Sequence, residues 1–129
     1  TATGEVAAAM LTQNPDLDAI YVSWVVAAEP VVAEIRAGGY DTKLVTIDLG
    51  GNNDLEMANG GIVYGKSADM PYQIGAVMVK LAVLDLLGEE TPTYVVSDSI
   101  SKTKDNIEES WMAAMNCEPS KEVLEALGK

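Results

Sequence analysis

The run Asp18-Ala19-Ile20-Tyr21-Val22-Ser23, the helical segment from Ala27 to Ala37 and the run Lys43-Leu44-Val45-Thr46-Ile47-Asp48 together set the architecture. The first run is short and apolar and follows a turn, which predicts a strand. The second carries the β-branched residues that a buried parallel position favours. Between them, Glu29 and Pro30 suit the first turn of a helix and Gly38-Gly39 its C-terminal stop. A strand, a helix and a second strand in that order imply parallel pairing through a right-handed crossover.

The same alternation extends to both sides. Toward the N-terminus, Thr3, Glu5 and Val6 to Leu11 predict an N-capped helix. It should end before Asn14-Pro15, because the residue before proline is pushed out of the α region. Toward the C-terminus, Gly50 to Asn53 should cap a short helix over 54–58, and Ile62-Val63-Tyr64-Gly65 reads as a third strand. Pro71 opens the longest helix, in which Ile74, Val77, Met78, Leu81, Leu84 and Leu87 recur at helical spacing. Thr93-Tyr94-Val95-Val96 is expected as a fourth strand, followed by amphipathic helices over 105–115 and 119–127, the former presenting Trp111 and Met115 as a docking face. The expected fold class is an α/β three-layer sandwich with a mostly parallel sheet.

Composition narrows the function. The 129 residues carry 48% hydrophobic and 22% charged side chains, which suits one globular domain rather than a disordered chain. Acidic residues outnumber basic ones 20 to 8, for a net charge of −12. Such a surface repels phosphate backbones and anionic lipid, so nucleic acid and membrane surfaces are not expected partners. The chain has no histidine and one cysteine, Cys117, in the polar stretch Asn116 to Pro119. Zinc sites and His-based triads are thereby disfavoured or excluded, no metal site is expected, and an enzyme is not expected. Around Gly50-Gly51-Asn52 the GxGxxG and P-loop spacings are both absent, so no nucleotide or other cofactor is expected.

In an open parallel sheet, ligands bind beyond the carboxyl ends of the strands, where loops diverge and helix N-termini point their free N–H groups. Three such ends carry suitable residues: Trp24 after the first strand, Asp48 after the second and Asp69 after the third. Two carboxylates and an indole suit a neutral polyhydroxylated or a cationic ligand. Each residue also has a purely structural reading, Asp48 and Asp69 as caps and Trp24 as core. Their common edge favours the ligand reading.

The segments Asn14-Pro15-Asp16-Leu17-Asp18-Ala19-Ile20-Tyr21, Ala37-Gly38-Gly39, Val45-Thr46-Ile47-Asp48, Met70-Pro71-Tyr72-Gln73-Ile74-Gly75 and Thr103-Lys104-Asp105-Asn106-Ile107, in this order, resemble the C-terminal half of the type I periplasmic sugar-binding proteins. That family includes ribose-binding protein and supplies the solute receptors of ABC transporters. The resemblance spans roughly residues 3–107. It implies a receptor that closes two lobes on a sugar or related small molecule and hands it to an ABC permease, in the periplasm or an equivalent extracytoplasmic space. Carried over position by position, Trp24, Asp48 and Asp69 become the cleft contacts of this half. Trp24-Val25 stands where sugar binders usually carry Asn-Asp, which makes an aromatic, methylated, deoxy or cationic ligand more fitting than an ordinary pentose or hexose. The resemblance further implies that residues 1–70 belong to an incomplete C-terminal lobe, that the helix and strand over 71–97 belong to the N-terminal lobe, and that 98–129 form the hinge crossover and C-terminal helices. Since the chain starts without methionine in a helix-like pattern, it is expected to be a piece of something longer. Its apolar 74–84 face would then be held by the missing N-terminal half or by a swapped partner chain. The alternative is the effector-binding domain of a transcription regulator related to the lac repressor, which shares this fold.

Overall fold

The computed structural model describes residues 2–129. In chain order the elements are α1 (Ala2–Gln13), β1 (Ala19–Val22), α2 (Val25–Gly38), β2 (Lys43–Ile47), α3 (Gly51–Ala58), β3 (Val63–Ala68), α4 (Pro71–Leu86), β4 (Ile100–Thr103), a single 3-10 turn (Lys104–Asn106), α5 (Ile107–Met115) and α6 (Lys121–Ala126). The four strands form one sheet in the order β1-β2-β3-β4. The β1–β2 and β2–β3 pairs are parallel, and β4 runs antiparallel to β3. The fold class expected from the sequence, α/β with a mostly parallel sheet, is the one observed.

Consecutive strands lie side by side, so right-handed crossovers place α2 and α3 on the same face of the sheet. Their adjacency is visible in the Arg36–Glu56 ion pair at 2.6 Å and in the hydrogen bond that Asn52 donates to Glu29 at 2.9 Å. The core is formed where these helices, α1, α5 and α6 meet the sheet, with Leu11, Ile35, Leu44, Met57 and Ile107 essentially sealed from solvent. Helix α2 ends as its glycines require: Gly39 adopts φ 66° and donates to the carbonyl of Arg36. It starts at Val25, two residues before the expected start, so Pro30 falls in its second turn and the Val26 carbonyl lacks the N–H that would normally reach it. Similarly, α1 already includes Ala2, which places Thr3 inside the helix rather than at its cap.

A bulge interrupts the β2–β3 pairing: Leu44 faces Val63 but Val45 faces Gly65, leaving Tyr64 as the extra residue. Beyond the bulge, Lys66 lies on the helix-covered face beside Thr46 and Lys102. The opposite face leaves Ala19, Tyr21, Lys43, Ser101 and Thr103 exposed and Val45 and Ile47 half-buried.

The expectation of a strand over 93–96 is not met. Those residues form no ladder, and Tyr94 and Val96 are 80% and 72% exposed, because among the described residues no neighbouring backbone runs alongside to accept and donate the hydrogen bonds. The fourth strand is instead 100–103. Residues 95–98 lie near Ile74, Val77 and Leu81 of α4 across a cavity of about 160 Å³. Helix α4 itself buries no residue.

Helical spacing alone would assign α4 and α1 the same kind of apolar stripe, but burial separates their energetics. Leu11→Ala, at a fully buried position of α1, is expected to lower the unfolding free energy by about 2–5 kcal/mol, whereas Leu86→Ala, at a position of α4 that is 85% exposed, should change it by less than about 0.5 kcal/mol. Urea melts of the two variants check this, and equal losses would contradict the burial pattern.

Candidate functional site

The carboxyl ends of β1, β2 and β3 lie along one edge of the sheet, and the structure brings Trp24, Asp48 and Asp69 to that edge together. Parallel neighbours stand about 4.8 Å apart, so three adjacent strand ends span only about 10 Å. Trp24 follows β1 in an extended conformation at the N-cap of α2, and its carbonyl accepts the first helical hydrogen bond, from Ala28, at 3.1 Å. Its side chain is 55% exposed, which rules out the core reading of this residue. Asp69 is exposed directly after β3, and Met70 rather than Asp69 occupies the N-cap position of α4.

Asp48 is the most constrained of the three. Its φ of 79° is left-handed, a region that aspartate tolerates better than most residues but that still stores strain. Two hydrogen bonds hold it there. The Asp48 N–H donates to the Ser67 carbonyl at 2.8 Å, prolonging the β2–β3 ladder, and the Leu49 N–H donates to Asp48 Oδ1 at 2.7 Å. The left-handed turn redirects the chain from β2 into Gly50, the N-cap of α3.

Beneath this edge lies a charged cluster that the sequence reading did not identify. Asp54, in the first turn of α3, sits between Lys66 of β3 and Lys102 of β4, and all three side chains are fully buried. Lys66 Nζ is 2.6 Å from Asp54 Oδ1, an ion pair whose approach angle falls outside hydrogen-bond geometry; it also donates to the Gly50 carbonyl at 3.3 Å. Lys102 Nζ donates to Asp54 Oδ2 at 3.2 Å and stands 4.9 Å from the centre of the Trp111 ring. Trp111 is thus turned inward over Lys102 and is not the docking residue that its spacing with Met115 suggested. Burial pushes the Lys102 ammonium below the ordinary lysine value of 10.5; Asp54 partly counters the shift and Lys66 adds to it.

Among the described residues, no three His, Cys, Asp or Glu side chains converge as metal ligands, and no helix is long and apolar enough to cross a membrane.

No family model matches the chain, and no curated protein matches it by sequence. Solved structures do match its fold. An ABC transporter solute-binding protein from Agrobacterium vitis bound with α-D-tagatopyranose superposes with a TM-score of 0.78 at 20% identity, over 92% of this chain and 40% of its own. The 5-methylthioribose transporter solute-binding protein from Thermotoga lettingae, in complex with 5-methylthioribose, gives 0.70 at 20% identity over 99% and 40%. GanP, a glucose-galactose binding protein from Geobacillus stearothermophilus, gives 0.72 at 19% identity over 81% and 38%. The chain therefore has the α/β fold found in type I periplasmic solute-binding proteins, and it spans about 40% of the length of the structures it matches.

Two consequences of this geometry are measurable. Asp48→Ala should lower stability by about 1–2 kcal/mol, since alanine has no oxygen for the Leu49 N–H and resists a positive φ, while Asp48→Gly should lower it less; thermal melts in which the two variants coincide would refute this. A lysine whose folded pKa lies below its unfolded value binds fewer protons folded than unfolded between the two values, so stability attributable to Lys102 rises with pH in that window, up to about 10.5. The stability of the wild type relative to Lys102→Met should accordingly increase through the alkaline range, and parallel pH curves would show that the group does not titrate there.

Proposed function

We propose that the chain is part of a solute-binding receptor of an ABC importer and supplies one wall of an interlobe cleft for a sugar or related small molecule. The observation that carries this reading is the meeting of Trp24, Asp48 and Asp69 on one strand-end edge, in a fold whose solved examples hold monosaccharides such as tagatose and 5-methylthioribose. The Asp48 and Asp69 carboxylates accept hydrogen bonds from ligand hydroxyls or amines, and the exposed Trp24 plane packs on C–H surface. An indole at this position suits a ligand with an apolar or methylated portion beside its hydroxyls.

Closure of a second lobe over this edge stabilises the liganded conformer, and an ABC permease recognises that conformer in an extracytoplasmic compartment. Such an arrangement places residues 1–70 in the ligand-binding lobe, assigns α4 and the 93–96 segment to the second lobe, and leaves 98–129 to the crossover and the closing helices. Support for this division comes from α4, which buries no residue, and from Tyr94 and Val96, which lie open to solvent. Their apolar surface is covered by the remaining half of the receptor or by a swapped partner chain.

Calorimetry on the full-length protein tests the site. Asp48→Asn and Trp24→Ala should each weaken binding of D-tagatose, or of whichever sugar or methylthio sugar a thermal-shift screen selects, by about 1–3 kcal/mol. Undiminished affinity in both variants would remove the proposed site.

A further inference from the structure

Lys66 stands inside a strand, on its covered face, with its side chain fully buried. The cluster it joins holds two ammonium groups and one carboxylate. Lys102 alone would neutralise Asp54, to which it donates at 3.2 Å while the Trp111 ring lies 4.9 Å from its ammonium. With two ammonium groups on one carboxylate the cluster carries one positive charge beyond local neutrality, and burying an ammonium beyond what a carboxylate balances is unfavourable. Packing does not account for such a residue, and its contacts show what it does.

The Lys66 ammonium spans the first turn of α3. It reaches the Gly50 carbonyl at 3.3 Å and Asp54 Oδ1 at 2.6 Å, and the same Gly50 carbonyl accepts the Asp54 N–H at 3.0 Å. This turn is also tied to α2: Asn53 Nδ2 donates to the Val25 carbonyl at 3.4 Å, and a Cβ on Gly50 would stand 2.6 Å from Val25 Cγ2, so the approach requires glycine there. Trp24 adjoins Val25, Asp48 lies just before Gly50, and Asp69 follows shortly after Lys66. One turn thus joins the three chain segments that carry the ligand-edge residues.

We propose that Lys66 is a positioning residue for the ligand edge: its buried ammonium holds the Gly50 carbonyl and the first turn of α3, and thereby keeps Asp48 in its left-handed turn against Ser67. It touches no ligand itself, and the assignment rests on reading the strand-end edge as the ligand site.

Lys66→Met separates positioning from stability, because it removes the surplus charge, retains apolar bulk and leaves the balanced Asp54–Lys102 pair. Hydrogen exchange in the full-length protein is the readout, and it requires no ligand. The Leu49 amide, which donates to Asp48 Oδ1, is expected to exchange about tenfold faster in the variant, while the Leu44 amide, bonded to the Ile62 carbonyl in the core, keeps its rate or slows. Lys66→Gln, which keeps a donor at shorter reach, should fall between the wild type and Lys66→Met. An unchanged Leu49 rate, or a Leu49 increase matched by Leu44, overturns the proposal. So does failure of both variants to fold, since the lysine would then be a structural necessity. If Leu49 loosens as expected but D-tagatose, D-allose and 5-methylthioribose all fail to bind the wild type, the positioning stands and the sugar-receptor reading falls.

Discussion

A single carboxylate, Asp54, lies fully buried between two ammonium groups under the carboxyl ends of the strands, and the organisation of that edge depends on it. Removing the carboxylate would strand two charges in the interior, a situation far more damaging than losing a surface ion pair. Because its partners come from β3 and β4 and it belongs to α3, Asp54 fixes the distance between the helix layer and the half of the sheet that holds the antiparallel strand. Buried ionic groups of this kind contribute little net stability compared with apolar packing of equal volume, but they tolerate few alternative arrangements. The apolar core from Ala7 to Val123 supplies the drive to fold, and the charged cluster ties α3 to β3 and β4.

The two halves of the chain differ in how fully they are satisfied. Up to Ala68 every strand is paired and every helix has a buried face, whereas α4 and the segment after it rest on little of their own chain. Helix α4 forms anyway, because Pro71 presets its first turn and 16 residues suffice for a local helix with no buried side chain. A strand has no such independence. Val95 and Val96 have strong strand propensity, but a strand needs a neighbour's backbone, and among the described residues none pairs with them.

This difference also explains what could be read from the sequence. Crossover helices and parallel strands announce themselves through local periodicity, and the positions of Trp24, Asp48 and Asp69 follow from where the strands end. Strand β4 was not legible, because Ile100-Ser101-Lys102-Thr103 is polar and its pairing with β3 is supplied by a partner more than thirty residues away. The bulge at Tyr64 was equally hidden. Without it the strict two-residue alternation of β3 would turn Lys66 toward the open face, where a lysine is unremarkable; with it, the lysine enters the interior. Asp54 reads from sequence as an ordinary acidic residue in a helix's first turn. Nothing local in any of these residues signals that they meet.

The buried lysines also shape the field that any dissolved molecule meets around this chain. Two of the eight basic residues and one of the twenty acidic residues are withdrawn into the interior, so the solvent-facing shell carries six positive and nineteen negative side chains. That shell is more negative than the formal charge suggests. Dissolved anions are repelled over the Debye length of about 8 Å at physiological ionic strength, whereas uncharged solutes diffuse in unhindered and cations are drawn inward. The counter-ion atmosphere thus sorts solutes by charge before any of them touches this chain, and added salt weakens that sorting without altering a single contact within the fold.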